Sequence, residues 1–230
     1  MAMDLPGLPA RLAQVRERIA GAQARGGWDH AVRIVAVTKT LGPDAVRAAL
    51  DAGLTDIGEN RVQEALAKMQ GLEGLPIAWH LVGQLQRNKA RHAVGRFALI
   101  HSLDRMDLAT ELARRASSST AQPVLVQVNC SDEPQKGGVE PAALPVLLDE
   151  VAALPALSLQ GLMTMAELTE DEARQRRAFA LLRRLRDEAR GRGHSLPELS
   201  MGMSGDYAAA VEEGATLVRL GTVLFGERSR

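Results

Sequence analysis

From residue 33 onward two hydrophobic patterns take turns along the chain. Short, nearly unbroken apolar runs alternate with longer stretches in which apolar residues recur every three or four positions. The first pattern suits strands buried on both faces, and the second suits helices with one buried stripe. The runs fall at residues 33–37, 55–57, 78–82, 97–101, 123–128, 157–161, 198–200 and 216–220. A helix over residues 9–25 precedes them, with Leu12, Val15 and Ile19 on one stripe. Eight strands separated by helices at fairly even spacing predict a single α/β domain over residues 1–230, a (β/α)8 barrel with an extra N-terminal helix. An open doubly wound sheet uses the same alternation. Eight strands, and no GxGxxG after the first, favour the barrel.

Local punctuation agrees with this division. Pro43 and Gly53 bracket the helical segment DAVRAALDA, with Pro at its start and Gly past its end. Thr169 and Glu172 have capping-box spacing ahead of a long helix whose stripe includes Phe179, Leu182 and Leu185. Gly214 follows the helix AAAVEE.

Composition then narrows the function. The 28 basic and 28 acidic residues cancel, which removes a general electrostatic case for nucleic acid. No apolar segment reaches membrane-spanning length, and the start MAMDLPGLPARLAQV lacks a signal peptide's basic and apolar regions. A single cysteine, Cys130, excludes an internal disulfide and suits a reducing compartment, so the cytoplasm is expected. Eight arginines between residues 174 and 192 are interleaved with five acidic residues from 170 to 188, the pattern of a solvated helix face. Without HExxH, paired CxxC or Walker A patterns, metal and nucleotide sites have no support.

Lysine usage is the sharpest chemical clue. Of the 28 basic residues 24 are Arg, and the four lysines are Lys39, Lys68, Lys89 and Lys136. Arg cannot be deprotonated or form an imine, so a retained Lys marks a place where a primary amine is wanted, or else a stem reaching from a strand end into water. Lys39 falls just past the first strand, at the barrel end where sites lie. Lys68 is expected on an ordinary helix surface, and Lys89 in a helix facing either solvent or phosphate. The loops after strands seven and eight, SMGMSGD and GT, place Gly202 and Gly221 where backbone could approach an anion, with hydroxyls at Ser204 and Thr222. Ser204 or Asp206 is expected to cap the following helix. A phosphate cup across the mouth from a strand-end amine, in a partly dry site, is the arrangement pyridoxal 5′-phosphate (PLP) needs. Arg219 sits near the end of an apolar strand, where a buried charge needs a partner, either a carboxylate or a ligand. Cys130 has no His partner by motif and is expected to be a passive thiol. His80 and His101 end strands, lining the mouth or satisfied in the core.

The segments AVTKT, DIGENRVQEA, WHLVGQLQRNKAR, IHSLD, GLMTM, LSMGMSGDYAAAVEEGAT and VRLGTVLFGER run in order over nearly the whole chain after the first helix. Together they resemble the pyridoxal-phosphate homeostasis protein family, which has the alanine-racemase N-terminal barrel. The resemblance implies that Lys39 is the Schiff-base lysine. It also implies that Asn60, Met201, Ser204, Arg219, Gly221 and Thr222 contact the cofactor, with Arg219 toward the pyridine nitrogen, and that Lys136 is a secondary contact. Two positions depart from the family: Leu41 stands where members often carry a further lysine, and Gly205 where many carry an acid.

The resemblance further implies a non-catalytic PLP carrier, monomeric or weakly dimeric, that buffers cofactor and passes it transiently to apo PLP-dependent enzymes, with effects on amino- and keto-acid balance. An amino-acid racemase or decarboxylase on the same barrel is the alternative. A phosphate-ligand barrel without cofactor, Lys39 acting as an electrostatic clamp, is the third reading. Racemases with this barrel use a second base, a tyrosine from a C-terminal β-domain. Here the chain stops at Arg230, and its single tyrosine, Tyr207, lies in the helix after the proposed phosphate loop, where packing is expected.

Overall fold

A computed structural model describes residues 5, 7–117, 119–131, 133, 137–169 and 171–226 of the chain. Eight parallel strands close into a barrel in sequence order: β1 (Arg33–Val37), β2 (Asp56–Glu59), β3 (Ala78–Leu81), β4 (Leu99–Leu103), β5 (Gln122–Gln127), β6 (Leu157–Met163), β7 (Glu198–Ser200) and β8 (Leu217–Leu220). Closure is made by β1 on β8, with Val35 opposite Arg219 and Ala36 opposite Leu220. The doubly wound alternative is thereby excluded. Around the barrel lie α1 (Leu8–Gly26), α2 (Pro43–Asp51), α3 (Val62–Gln70), α4 (Ala90–Ala93), α5 (Met106–Arg115), α6 (Leu144–Ala152), α7 (Glu172–Gly191), α8 (Tyr207–Glu212) and α9 (Thr222–Phe225). No helix among the described residues is long and apolar enough to cross a membrane.

Two apolar clusters follow from strand alternation. Val35, Val37, Val82, Leu99, Leu125, Met163 and Leu217 form the smaller one, inside the barrel. The larger fills the layer between barrel and helices. Gly58 fits this interior because a Cβ there would lie 2.9 Å from a Val35 methyl and 3.1 Å from a Val37 methyl. The extra helix α1 buries Leu8, Leu12, Val15, Ile19 and Ala22 against α8 and α9. Each of its larger buried side chains contributes roughly 1.5–3 kcal/mol. The Trp28 indole fastens the C-terminal end of α1 by donating to the Glu212 carbonyl at 2.8 Å.

Two caps differ from expectation. The cap of α7 is Asp171, whose carboxylate accepts from the backbone of Ala173 and Arg174, while the Thr169 hydroxyl accepts from Asp171 N–H one step earlier. Asp beats Thr here because an ionised acceptor at a helix N-terminus gains from the dipole as well as the hydrogen bond. On α8 neither Ser204 nor Asp206 caps by side chain; the Asp206 carboxylate instead accepts from Met203 N–H within its own loop. Along α7 several arginines are tied into ion pairs, among them Arg174 to Glu167, Arg176 to Glu172 and Glu212, and Arg183 to Glu213.

Candidate functional site

At the C-terminal mouth of the barrel a cleft of about 840 Å³ gathers Lys39, Asn60, Ser204, Arg219, Gly221 and Thr222. That volume lies within the usual range for small-molecule sites. Gln84, Gln127, Met165 and Met203 are among the other residues that line it. Met201 takes no part in the lining: it is fully buried in the layer between barrel and helices, and Met203 stands at the mouth instead. Lys136 lies outside the described residues. Lys89 ends a short 3-10 turn, Arg87–Lys89, and does not line the cleft.

Lys39 is exposed rather than dry, at the tip of a tight turn in which Leu41 N–H donates to the Thr38 carbonyl at 3.0 Å. Thr40 takes φ +63°, a left-handed conformation costly for a β-branched residue, so the surroundings must hold it. Helix α3 does so. The Glu64 carboxylate accepts from Thr40 N–H, and the Lys68 ammonium donates to the Thr38 carbonyl at 2.6 Å. Lys68 also pairs with Glu59 at 2.5 Å and with Glu64 at 3.3 Å. Its side chain is only 6% exposed, which corrects the surface placement expected for it. An i,i+4 Glu–Lys pair on a surface helix looks the same in sequence, and only the approach of β1 and β2 buries this one. Burial raises the Glu59 carboxyl above its ordinary value, against the hydrogen bonds from Lys68 and Thr38 and the charge of Lys68. Its second oxygen has no hydrogen-bond partner among the described residues.

Across the mouth, the Ser204 hydroxyl accepts from the backbone N–H of Gly221 at 3.2 Å and of Val223 at 3.3 Å. The loop after β7 is thereby stitched to the loop after β8. Gly202 allows the sharp path: its φ is +92°, and a Cβ there would meet the Ala210 methyl at 2.7 Å.

Arg219 forms the floor, 4% exposed. One terminal nitrogen donates to the Ser200 carbonyl and hydroxyl, each at 2.7 Å, and the other to the Thr164 carbonyl at 2.8 Å. Burial lowers it to about 10, partly opposed by the charge of Asp206, so the guanidinium remains charged at neutral pH. No ion pair to a carboxylate forms among the described residues, so the reading of Arg219 as half of a structural ion pair lacks its partner. Its Nε–H and one terminal hydrogen are left over from these bonds. Below it His80 and His101 are buried and bonded to each other at 2.9 Å, in the core rather than at the mouth. Cys130 is pushed up to about 12 by burial, against a hydrogen bond with Thr164, as befits a passive thiol.

The cleft therefore offers a primary amine, hydroxyl and backbone donors around glycines, and a buried cation with donors to spare. That set fits a ligand with an aldehyde, a phosphate and an unprotonated aromatic nitrogen. Comparison with known proteins points the same way. The alanine racemase N-terminal domain family matches residues 10–229. A pyridoxal phosphate homeostasis protein of Aquifex aeolicus is 45% identical over 221 residues, 95% of this chain and 97% of its own. PipY of Synechococcus elongatus PCC7942, solved with PLP bound, is 38% identical, with a TM-score of 0.84 over 95% of this chain and 100% of its own. Alanine racemase of Corynebacterium glutamicum shares the fold at 16% identity and a TM-score of 0.76, over 98% of this chain and 62% of the racemase. By its identity to the Aquifex protein and to PipY over nearly their whole length, the chain belongs to the pyridoxal phosphate homeostasis protein family.

Proposed function

We propose that this protein holds PLP in the barrel-mouth cleft and takes part in intracellular PLP homeostasis without turning over a substrate. The observation that carries the reading is the convergence of Lys39, Ser204, Thr222 and Arg219 on one cleft, three chemically different functions matching three parts of one molecule. When bound, PLP supplies an aldehyde that condenses with a primary amine with loss of water. Lys39 is the amine in the cleft. Ser204, Thr222 and the backbone around Gly221 bind the phosphate, Arg219 donates to the ring nitrogen, and Asn60 lines the ring. Donation to the ring nitrogen by a charged guanidinium disfavours its protonation and weakens the ring as an electron sink, a feature that by itself does not separate a carrier from a racemase. The finer parts of the proposal are Lys136 as a secondary contact, transient delivery to apo PLP-dependent enzymes in the cytoplasm, and a monomeric or weakly dimeric state.

Borohydride treatment of the PLP-loaded protein, followed by peptide mass mapping, is expected to place the pyridoxyl label on Lys39, and Lys39→Ala is expected to abolish labelling in a folded protein. Label chiefly on Lys68 or Lys89 would overturn the assignment. Ser204→Ala or Thr222→Ala is expected to cost about 1.5–3 kcal/mol of PLP binding, the range for a hydrogen bond to a charged group. Pyridoxal lacking the phosphate is expected to bind far more weakly; equal affinity for the two sinks the phosphate cup.

A further inference from the structure

The barrel interior contains a hydrogen-bonded chain that neither the amine nor the phosphate cup uses. It begins at Asp56, the first residue of β2 on the N-terminal rim, and ends at Arg219 under the cleft. Asp56 Oδ1 lies 2.9 Å from His80 Nε2, His80 Nδ1 lies 2.9 Å from His101 Nε2, and His101 Nδ1 lies 2.9 Å from Ser200 Oγ. Ser200 Oγ then accepts from Arg219 at 2.7 Å. Barrel interiors are normally filled by branched aliphatic side chains, and two imidazoles in that place lose hydration unless their nitrogens are bonded. Here all four ring nitrogens are.

With both rings neutral, donor and acceptor chemistry gives the chain one direction. A guanidinium only donates and a carboxylate only accepts. Ser200 Oγ accepts from Arg219 and, because a neutral His101 that donates through Nε2 has a bare Nδ1, gives its own proton to that nitrogen. His101 then carries its proton on Nε2 and donates it to His80 Nδ1. His80 in turn carries its proton on Nε2 and donates to Asp56. Both rings are neutral in this arrangement, and every bond has one donor and one acceptor. Burial is the largest of the causes that hold His101 well below the usual imidazole range, in keeping with a neutral ring.

We propose that His80 and His101 are positioning residues for the ring nitrogen of the bound cofactor: with Asp56 and Ser200 they lock the Arg219 guanidinium as a fixed donor. The inference rests on the reading that PLP occupies the cleft with Arg219 toward its ring. Ser200 accepts from Arg219 without leaving a buried donor unsatisfied only while another group takes its proton. Without His101 that proton has no buried acceptor, the 2.7 Å bond weakens, and the guanidinium is held by the Ser200 and Thr164 carbonyls alone, which leaves its remaining donors less firmly aimed. A donor held in place binds its acceptor without reorganisation, whereas a loose one must first be ordered.

The test compares PLP with its 1-deaza analogue, in which a C–H replaces the ring nitrogen, on the full chain. Wild type is expected to prefer PLP. In His101→Leu the PLP affinity is expected to fall about tenfold while affinity for the deaza analogue stays within about twofold, because only the nitrogen loses a hydrogen bond. His101→Gln, whose amide can accept from Ser200 and donate to His80, is expected to restore most of the preference. Thermal unfolding of the apo variants reports on the fold, and if His101→Leu fails to fold, Asp56→Asn at the far end carries the same comparison with a smaller loss. A folded variant that loses both ligands alike, or neither, overturns the relay while leaving the cofactor site standing. A wild-type protein that binds the two ligands equally removes Arg219 from the ring nitrogen, and the relay's role with it. A wild-type protein that binds neither sinks the cofactor reading itself.

Discussion

At the scale of single residues, the protein separates groups that meet a ligand from groups of the same chemistry that do not. Lys39 and Lys68 both serve the turn after β1, one exposed in the cleft and one buried beneath it. Cys130 belongs to the second kind. With its thiol pushed up to about 12 by burial, on the order of one molecule in ten thousand carries the nucleophilic thiolate at pH 8. Iodoacetamide at pH 8 is therefore expected to label Cys130 in the folded protein at least about a hundredfold more slowly than in the urea-unfolded chain. Comparable rates, followed by mass spectrometry, would show that the thiol is neither buried nor passive.

At the scale of elements, α3 shows what the sequence disclosed and what it withheld. Its helical pattern, the apolar runs of the strands and the Pro–Gly bracket of α2 are local features, set by which residues lie three, four or two positions apart, and these were legible. Which side chains meet across the barrel depends on strand register, and register is not written locally. The pairing of Glu59 with Lys68, the contact of His80 with His101 and the exclusion of Met201 from the cleft all follow from it, so none was legible. Lysine scarcity was the one available hint that Lys68 is not ordinary surface. The consequence is measurable. Breaking a buried ion pair by removing one partner costs about 3–5 kcal/mol, so Lys68→Met is expected to destabilise strongly at pH 8 in urea unfolding. The pH dependence has a definite sign. Burial raises the folded Glu59 carboxyl above its ordinary value of 4.5, so its contribution is present in full below that pH and lost as pH rises through the raised value. Loss of Lys68 raises it further. The deficit of Lys68→Met relative to wild type is expected to be smaller at pH 5 than at pH 8, and Glu59→Gln with Lys68→Met is expected to recover most of it. Equal deficits at the two pH values would mean that Glu59 takes up no proton.

At the scale of the whole molecule, the question is whether a racemase barrel that holds a cofactor must also catalyse. Proton removal at the α-carbon of an amino acid needs an electron sink and a placed base, and inversion needs a second base on the opposite face. Lys39 is one candidate base. The acids lining the cleft are committed elsewhere: Glu167 to Arg174, Glu172 to Arg176, and Glu212 to Arg25 and Arg176. Asp206 is bonded to its own loop at Met203. Tyr207, the only tyrosine, is 4% exposed under the Arg18 guanidinium and does not line the cleft. His80 and His101 lie in the core, bonded at every ring nitrogen. The barrel mouth thus retains the means to hold a cofactor and, among the described residues, presents no second base. Incubating the PLP-loaded protein with single-enantiomer amino acids in deuterated water is expected to give no catalytic deuterium incorporation at Cα and no inversion, by mass spectrometry and chiral chromatography. Exchange with inversion that disappears in Lys39→Ala would make this protein an enzyme, and would require a base that the cleft does not display.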